Sequence, residues 1–203
     1  MKYRATIAVW LIVTATIRFA HAADPRYPDW PCAQAKVPEI SLAAVWAGPP
    51  LDDVSGKWKN DAKVSALVAK LAARRTPLEE AQKAITEYLN AATDKTGSGK
   101  LLFAGLFDIL NGQRSQVMNG LERITRKQRE AADKIRVDTI ALQALQGEAS
   151  RDQAKVDELG NQLVWQTRIF EDRHRVIKFV CEVPTAIDQR LFALGRIIQQ
   201  EIE

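Results

Sequence analysis

The chain is poor in histidine and cysteine, two residues on which much enzyme chemistry relies. Of 203 residues only two are histidine, and His21 falls in a leader-like segment, which leaves His174 alone beyond it. A single imidazole cannot build a histidine metal cluster, and any Ser-His-Asp arrangement would have to use that one residue. Cysteine is as scarce. Cys32 and Cys181 stand far apart with no CxxC spacing, so nothing points to zinc or to thioredoxin-like chemistry. Ten glycines and eight prolines are too few for collagen-like order, and a hydrophobic content of 46% argues against wholesale disorder. An excess of one charge is also nearly missing. The formal charge is +4 and the pI about 9.1. Lys2, Arg4 and Arg18 all lie in the first 22 residues, however, and without them 26 basic side chains oppose 25 acidic ones. So balanced a chain is not expected to hold nucleic acid.

The amino terminus reads as an address. Met1-Lys2-Tyr3-Arg4 supplies a short positive start, Ile7 to Ile17 an apolar run, and Ala20-His21-Ala22 the small residues that a signal peptidase inspects. The run is shorter than the ~20 residues needed to span a bilayer. Cleavage is therefore expected after Ala22, with the mature protein periplasmic or secreted and soluble. The strongest later apolar run, Leu101 to Leu110, is interrupted by Asp108, so no transmembrane segment is expected in the mature chain. Export makes a Cys32–Cys181 disulfide the natural use of the two thiols. Closing nearly the whole mature chain, such a bridge corresponds to about 5 kcal/mol in the chain-entropy picture.

Beyond the leader the predicted fold class is all-α: a long antiparallel coiled-coil-like hairpin, short additional helices and a Pro/Trp-rich extended segment. That segment covers residues 23–60 and holds six of the eight prolines together with Trp30, Trp46 and Trp58. Proline at this density forbids a long helix, and the large aromatics favour packing onto a helical body (residues 61–203) over full exposure. A short helical hairpin is predicted over about 61–92. Val64, Leu67, Val68 and Leu71 form the first stripe, Thr76-Pro77-Leu78-Glu79 offers a capping box, and Ala81, Ile85, Tyr88 and Leu89 form the second. Gly97 to Gly99 reads as a flexible connector.

From Phe103, alternating steps of four and three reach Phe107, Leu110, Arg114, Val117, Leu121, Ile124 and on to Ala149, and eleven of these fourteen positions are apolar. A seam this long implies helices packed at a shallow angle. A second stripe runs from Val156 to Val180. Gly147 and Ser150-Arg151-Asp152-Gln153 suggest a turn between the two, placing a long hairpin over about 101–182. The unbroken heptad phase across the turn keeps open a continuous helix of about 80 residues, extending about 120 Å and needing a second chain. A final helix is predicted over about 185–202, opened by Thr185-Ala186-Ile187-Asp188.

Few side chains stand out as chemistry. His174 sits in Glu171-Asp172-Arg173-His174-Arg175 with no nucleophile or oxyanion motif, and reads as a solvated residue. Thr96-Gly97-Ser98-Gly99-Lys100 superficially resembles a phosphate loop, but Asp94 and Leu101 break the pattern and no strand precedes it. Among the basic residues of the seam helix, Arg123, Arg126, Lys127 and Arg129 are candidate interaction residues, as are Trp30 and Trp46. The same charges also suit register-fixing pairs across a hairpin, with Glu122/Arg126 and Glu130/Lys134 as pairs along it. Arg114 and Arg173 are expected to lift their heads out of the seam.

These readings point to an exported interaction or scaffolding protein with no catalytic site, no cofactor and no metal. Its partner would be another envelope protein or a second copy of itself, with peripheral membrane contact open. The alternative is a periplasmic small-ligand module with a pocket between the Trp-rich segment and the helices, lined by Trp30, Trp46 and Trp165.

Overall fold

The computed structural model describes residues 24–203; the leader-like residues 1–22 lie outside that range. Among the described residues there are six α-helices, one 3-10 turn and no strand. They are α1 (Leu42–Val45), the 3-10 turn Lys57–Asn60, α2 (Ala62–Ala72), α3 (Leu78–Asn90), α4 (Lys95–Gly147), α5 (Gln153–Val180) and α6 (Glu182–Ile202). The protein is all-α, and α4 and α5 form the antiparallel hairpin expected of the seam. Among the described residues no helix is long and apolar enough to cross a membrane.

The main core collects the seam's first turns with the short helices. Leu102, Phe103, Leu106 and Leu110 of α4 pack with Val64, Val68 and Leu71 of α2, Ile85 and Leu89 of α3, and Leu191, Leu194 and Ile198 of α6. Trp46 enters this core and stacks on Phe103 with ring centroids 4.3 Å apart. Trp58 is buried too, and its indole N–H donates to Asp108 at 2.8 Å. The residue that interrupts the apolar run Leu101 to Leu110 is thus the partner of a buried tryptophan, as a buried N–H requires. Arg190 of α6 donates to the Leu71 carbonyl, which the last turn of α2 leaves unpaired, and to the Thr76 carbonyl in the loop that follows.

Several helix boundaries differ from the sequence reading. Gly97 to Gly99 is no connector: α4 already starts at Lys95, with the Asp94 carboxylate accepting from the Gly97 N–H at 2.9 Å. The glycine has a packing reason, because a Cβ on Gly99 would lie 2.5 Å from Ile202 of α6. Thr76 does not cap α3. Its hydroxyl donates back to the Lys70 carbonyl at 2.8 Å, and Pro77 precedes the helix without a side-chain cap. Asp152, not Ser150, caps α5, accepting from Ala154 and Lys155. Pro184 does not end a helix but lies in the first turn of α6, where its missing N–H has no helical acceptor to lose. Only Cys181, itself helical in backbone at φ −59° and ψ −24°, separates α5 from α6. Thr185–Asp188 is therefore interior to α6 and opens nothing.

Each seam position from Phe103 to Leu145 is buried or half-buried, and Ala149 is exposed in the turn. The register of the hairpin follows from Leu121 beside Ile177, Gln128 Nε2 donating to the Phe170 carbonyl at 2.9 Å, and Gln166 Nε2 donating to Asp138 Oδ2 at 3.1 Å. The expected register-fixing ion pairs are not there: among the described residues no ion pair crosses from α4 to α5. The ion pairs of the hairpin's middle and tip are local ones such as Lys134–Asp138 and Arg136–Asp133. Side-chain amides between the helices reach fixed acceptors, whereas long charged side chains near the surface find water or a neighbour one turn away at little cost.

Candidate functional site

Residues 24–41 form a strap along one side of the hairpin, and five of the eight predicted site residues, Trp30, Cys32, Arg126, Arg129 and Cys181, belong to its attachment. Cys32 and Cys181 are bridged, with Cα atoms 5.5 Å apart, tying the strap to the junction of α5 and α6. Asp29 pairs with both Arg126, at 2.7 Å, and Arg129. Lys36 Nζ donates to Glu122 Oε1 at 2.5 Å with both side chains largely out of water, and the ammonium also lies 4.6 Å from the Tyr27 ring. Trp30 is half-buried against Leu121, Ile177 and the disulfide, its indole N–H donating to the Gln34 carbonyl at 2.7 Å. Arg126 and Arg129 thus hold a segment of their own chain. Glu122 and Lys134 likewise find partners other than the i, i+4 residues expected for them: Glu122 pairs with Lys36 and Lys134 with Asp138. Arg123 and Lys127 are exposed, and Trp46 lies in the core.

Among the described residues Arg114 is the one buried charged side chain. Its side chain is 4% exposed, so it does not lift its head out. Nε lies 2.7 Å from Asp188 Oδ1 of α6, without the alignment of a hydrogen bond, and Nη1 donates to the Pro38 carbonyl at 3.3 Å. One guanidinium therefore joins strap, α4 and α6. Burial pushes the Asp188 carboxyl above the usual carboxylate range, and Arg114 only partly opposes it. Hollows of about 130 and 480 Å³ open on either side of this pair, the first bordered by Trp30 and Met118, the second by Ile40 and Phe192. Trp30 alone of the three predicted tryptophans borders them. Trp46 stacks on Phe103 and Trp165 lies on α5.

The side of the hairpin away from the strap is bare. Between the helices lie an apolar hollow of about 410 Å³ bordered by Gly120, Ile124 and Val176, and one of about 240 Å³ bordered by Ala131, Ile135 and Ile169. Along the same edge Trp165, Ile169, Val176 and Phe179 are 64%, 45%, 57% and 77% exposed. From Glu130 to Gly147, α4 rises about 27 Å with only α5 beside it. Sequence reasoning missed this strip, although its spacing of four, seven and three residues lies one position beside the predicted stripe of α5.

His174 is exposed in the C-terminal half of α5, and among the described residues no group of three or more metal-ligating side chains assembles. A scan of protein-family models finds no match, and neither known proteins nor solved structures match the chain, so the functional reading rests on the chemistry of its own residues.

Proposed function

We propose that this chain is an exported docking or scaffolding protein of the cell envelope whose α4–α5 arm is the working part. The observation that carries the reading is the division of the arm into two sides. One is covered, as far out as Arg129, by a strap held through a disulfide, ion pairs and a buried arginine. The other leaves four large apolar side chains in water along an elongated hairpin. Contiguous exposed apolar surface on an element too thin to have its own core is characteristic of an interface that awaits a partner. The leader-like residues 1–22 support export, and a disulfide within the chain suits an oxidising compartment. Photo-crosslinking from position 176 in intact cells tests the reading, with a protein adduct as the expected result. No adduct from that face, or a protein that retains residues 1–22 in the cytosol, would refute it.

A second reading is favoured by the hollows around Arg114 and Asp188: a small-ligand module holding a mostly apolar molecule with a polar end. A thermal-shift screen of amphiphilic metabolites tests it, and stabilisation that disappears in Arg114→Met is the expected signature.

A further inference from the structure

The bare strip of α5 reads the same in both directions. An aromatic residue, Trp165, is followed by the β-branched Ile169, the oppositely charged neighbours Asp172 and Arg173, the β-branched Val176 and the aromatic Phe179. The midpoint of the outer pair and that of the inner pair both fall at the charged dipeptide. The two hollows follow the same symmetry: α5 contributes Gln166 to Arg173 to the smaller and Asp172 to Val180 to the larger. About a two-fold axis residue i meets residue j while j meets i, and a strip in this order then sets aromatic beside aromatic, β-branched beside β-branched and each charge beside its opposite.

We propose that the occupant of this strip is a second copy of the chain, paired antiparallel α5 to α5 about a two-fold axis at Asp172–Arg173; this rests on the reading of the arm as a docking element. In that arrangement Asp172 of each copy faces Arg173 of the other, Ile169 lies over the larger hollow and Val176 over the smaller. Trp165 of one copy covers Phe179 and Val180 of the other. A parallel pairing would set Asp172 against Asp172, and like charges facing each other in a dry interface are repulsive. Arg173 makes no ion pair among the described residues, and Asp172 pairs only locally with Arg175, so both charges can meet a second chain. The three side chains to be replaced, Ile169, Asp172 and Arg173, are exposed in the single chain and belong to neither buried cluster.

Sedimentation equilibrium of the disulfide-bonded mature protein tests the pairing by charge exchange. The native chain is expected at twice the monomer mass. Asp172→Arg alone and Arg173→Asp alone each set like charges face to face and weaken the dimer by about ten-fold or more. The two together restore opposite charges and with them the dimer. Ile169→Glu gives a folded monomer with an unchanged circular dichroism spectrum. A native chain that stays monomeric at high micromolar concentration overturns the proposal, as does a double exchange that recovers nothing. Crosslinking from position 176 in cells separates this proposal from the reading beneath it. An adduct of two copies supports both, an adduct with a different protein and a monomeric purified chain overturns self-pairing alone, and no adduct overturns both.

Discussion

Arg114 of α4 and Asp188 of α6 hold each other at 2.7 Å while the guanidinium is shut away from water and the carboxylate keeps 39% of its surface. The asymmetry decides what each contributes. The arginine charge has no hydration to fall back on and depends on Asp188 and the Pro38 carbonyl. The aspartate is half-solvated, and burial still makes its ionised form less favourable than in an unfolded chain.

Arg114→Met should destabilise the fold. It removes the contact to Pro38 and leaves Asp188 without its counter-charge, although water reaches that carboxylate. The full penalty for breaking a buried pair, about 3–5 kcal/mol, is therefore reduced to about 1–3 kcal/mol. Urea unfolding followed by circular dichroism gives the value, and an unchanged midpoint would show that the pair holds nothing together.

Asp188→Asn should alter the pH dependence of stability. A carboxyl whose folded pKa is raised binds more protons in the folded state, so its contribution is present below the ordinary carboxyl value of 3.8 and is lost as pH rises through the raised one. The native chain should therefore lose ground to Asp188→Asn between pH 4 and neutrality. Paired urea titrations across that range read the difference. A gap that does not change with pH would contradict the assignment.

Replacing both cysteines by serine should loosen the strap before it unfolds the core. The bridge joins residues 149 apart, for which the loop-entropy figure is about 5 kcal/mol, and removal of native disulfides costs about 2–5 kcal/mol in practice. Amide exchange should accelerate over 24–41 while α2, α3 and the start of α4 stay protected. Uniform acceleration throughout would mean that strap and core are one cooperative unit.

Two glycines in helices should respond to alanine in opposite senses. A Cβ on Gly195 would lie 2.5 Å from the Val45 carbonyl, which is backbone and cannot swing aside, so Gly195→Ala should cost about 1–3 kcal/mol. Nothing lies within 4 Å of the same atom on Gly160, and Gly160→Ala should stabilise by about 0.5–1 kcal/mol through helix propensity alone. Thermal unfolding of the two variants distinguishes close packing from a general tolerance of small residues.

The hairpin was legible because a heptad seam is a local, periodic signal that forty residues repeat, and each repeat buries what the pattern says it buries. The Pro/Trp-rich segment was legible as a covering element for the same kind of reason, since its prolines exclude a long helix and its indoles need partners. Helix ends were harder. Thr76 and Ser150 have the chemistry of caps, but a hydroxyl or carboxylate caps whichever free backbone group comes within reach, and Lys70 and Asp152 supplied the better geometry. Gly99 looked like a loop residue and is a contact point, because the chain two helices later brings Ile202 against it.

The site divides along the same line. The amino-acid sequence alone determined the helical class, the seam, the two available thiols and the scarcity of histidine, all of which follow from composition and spacing within short windows. Only the tertiary structure decided that Asp29 and Lys36 use up Arg126, Arg129 and Glu122, and that Arg114 is sealed beneath the strap. It also decided that Trp46 belongs to the core while Trp165, Ile169, Val176 and Phe179 are left in water. A helix pattern specifies which residues share a face, but whether that face is covered depends on segments far away in the chain.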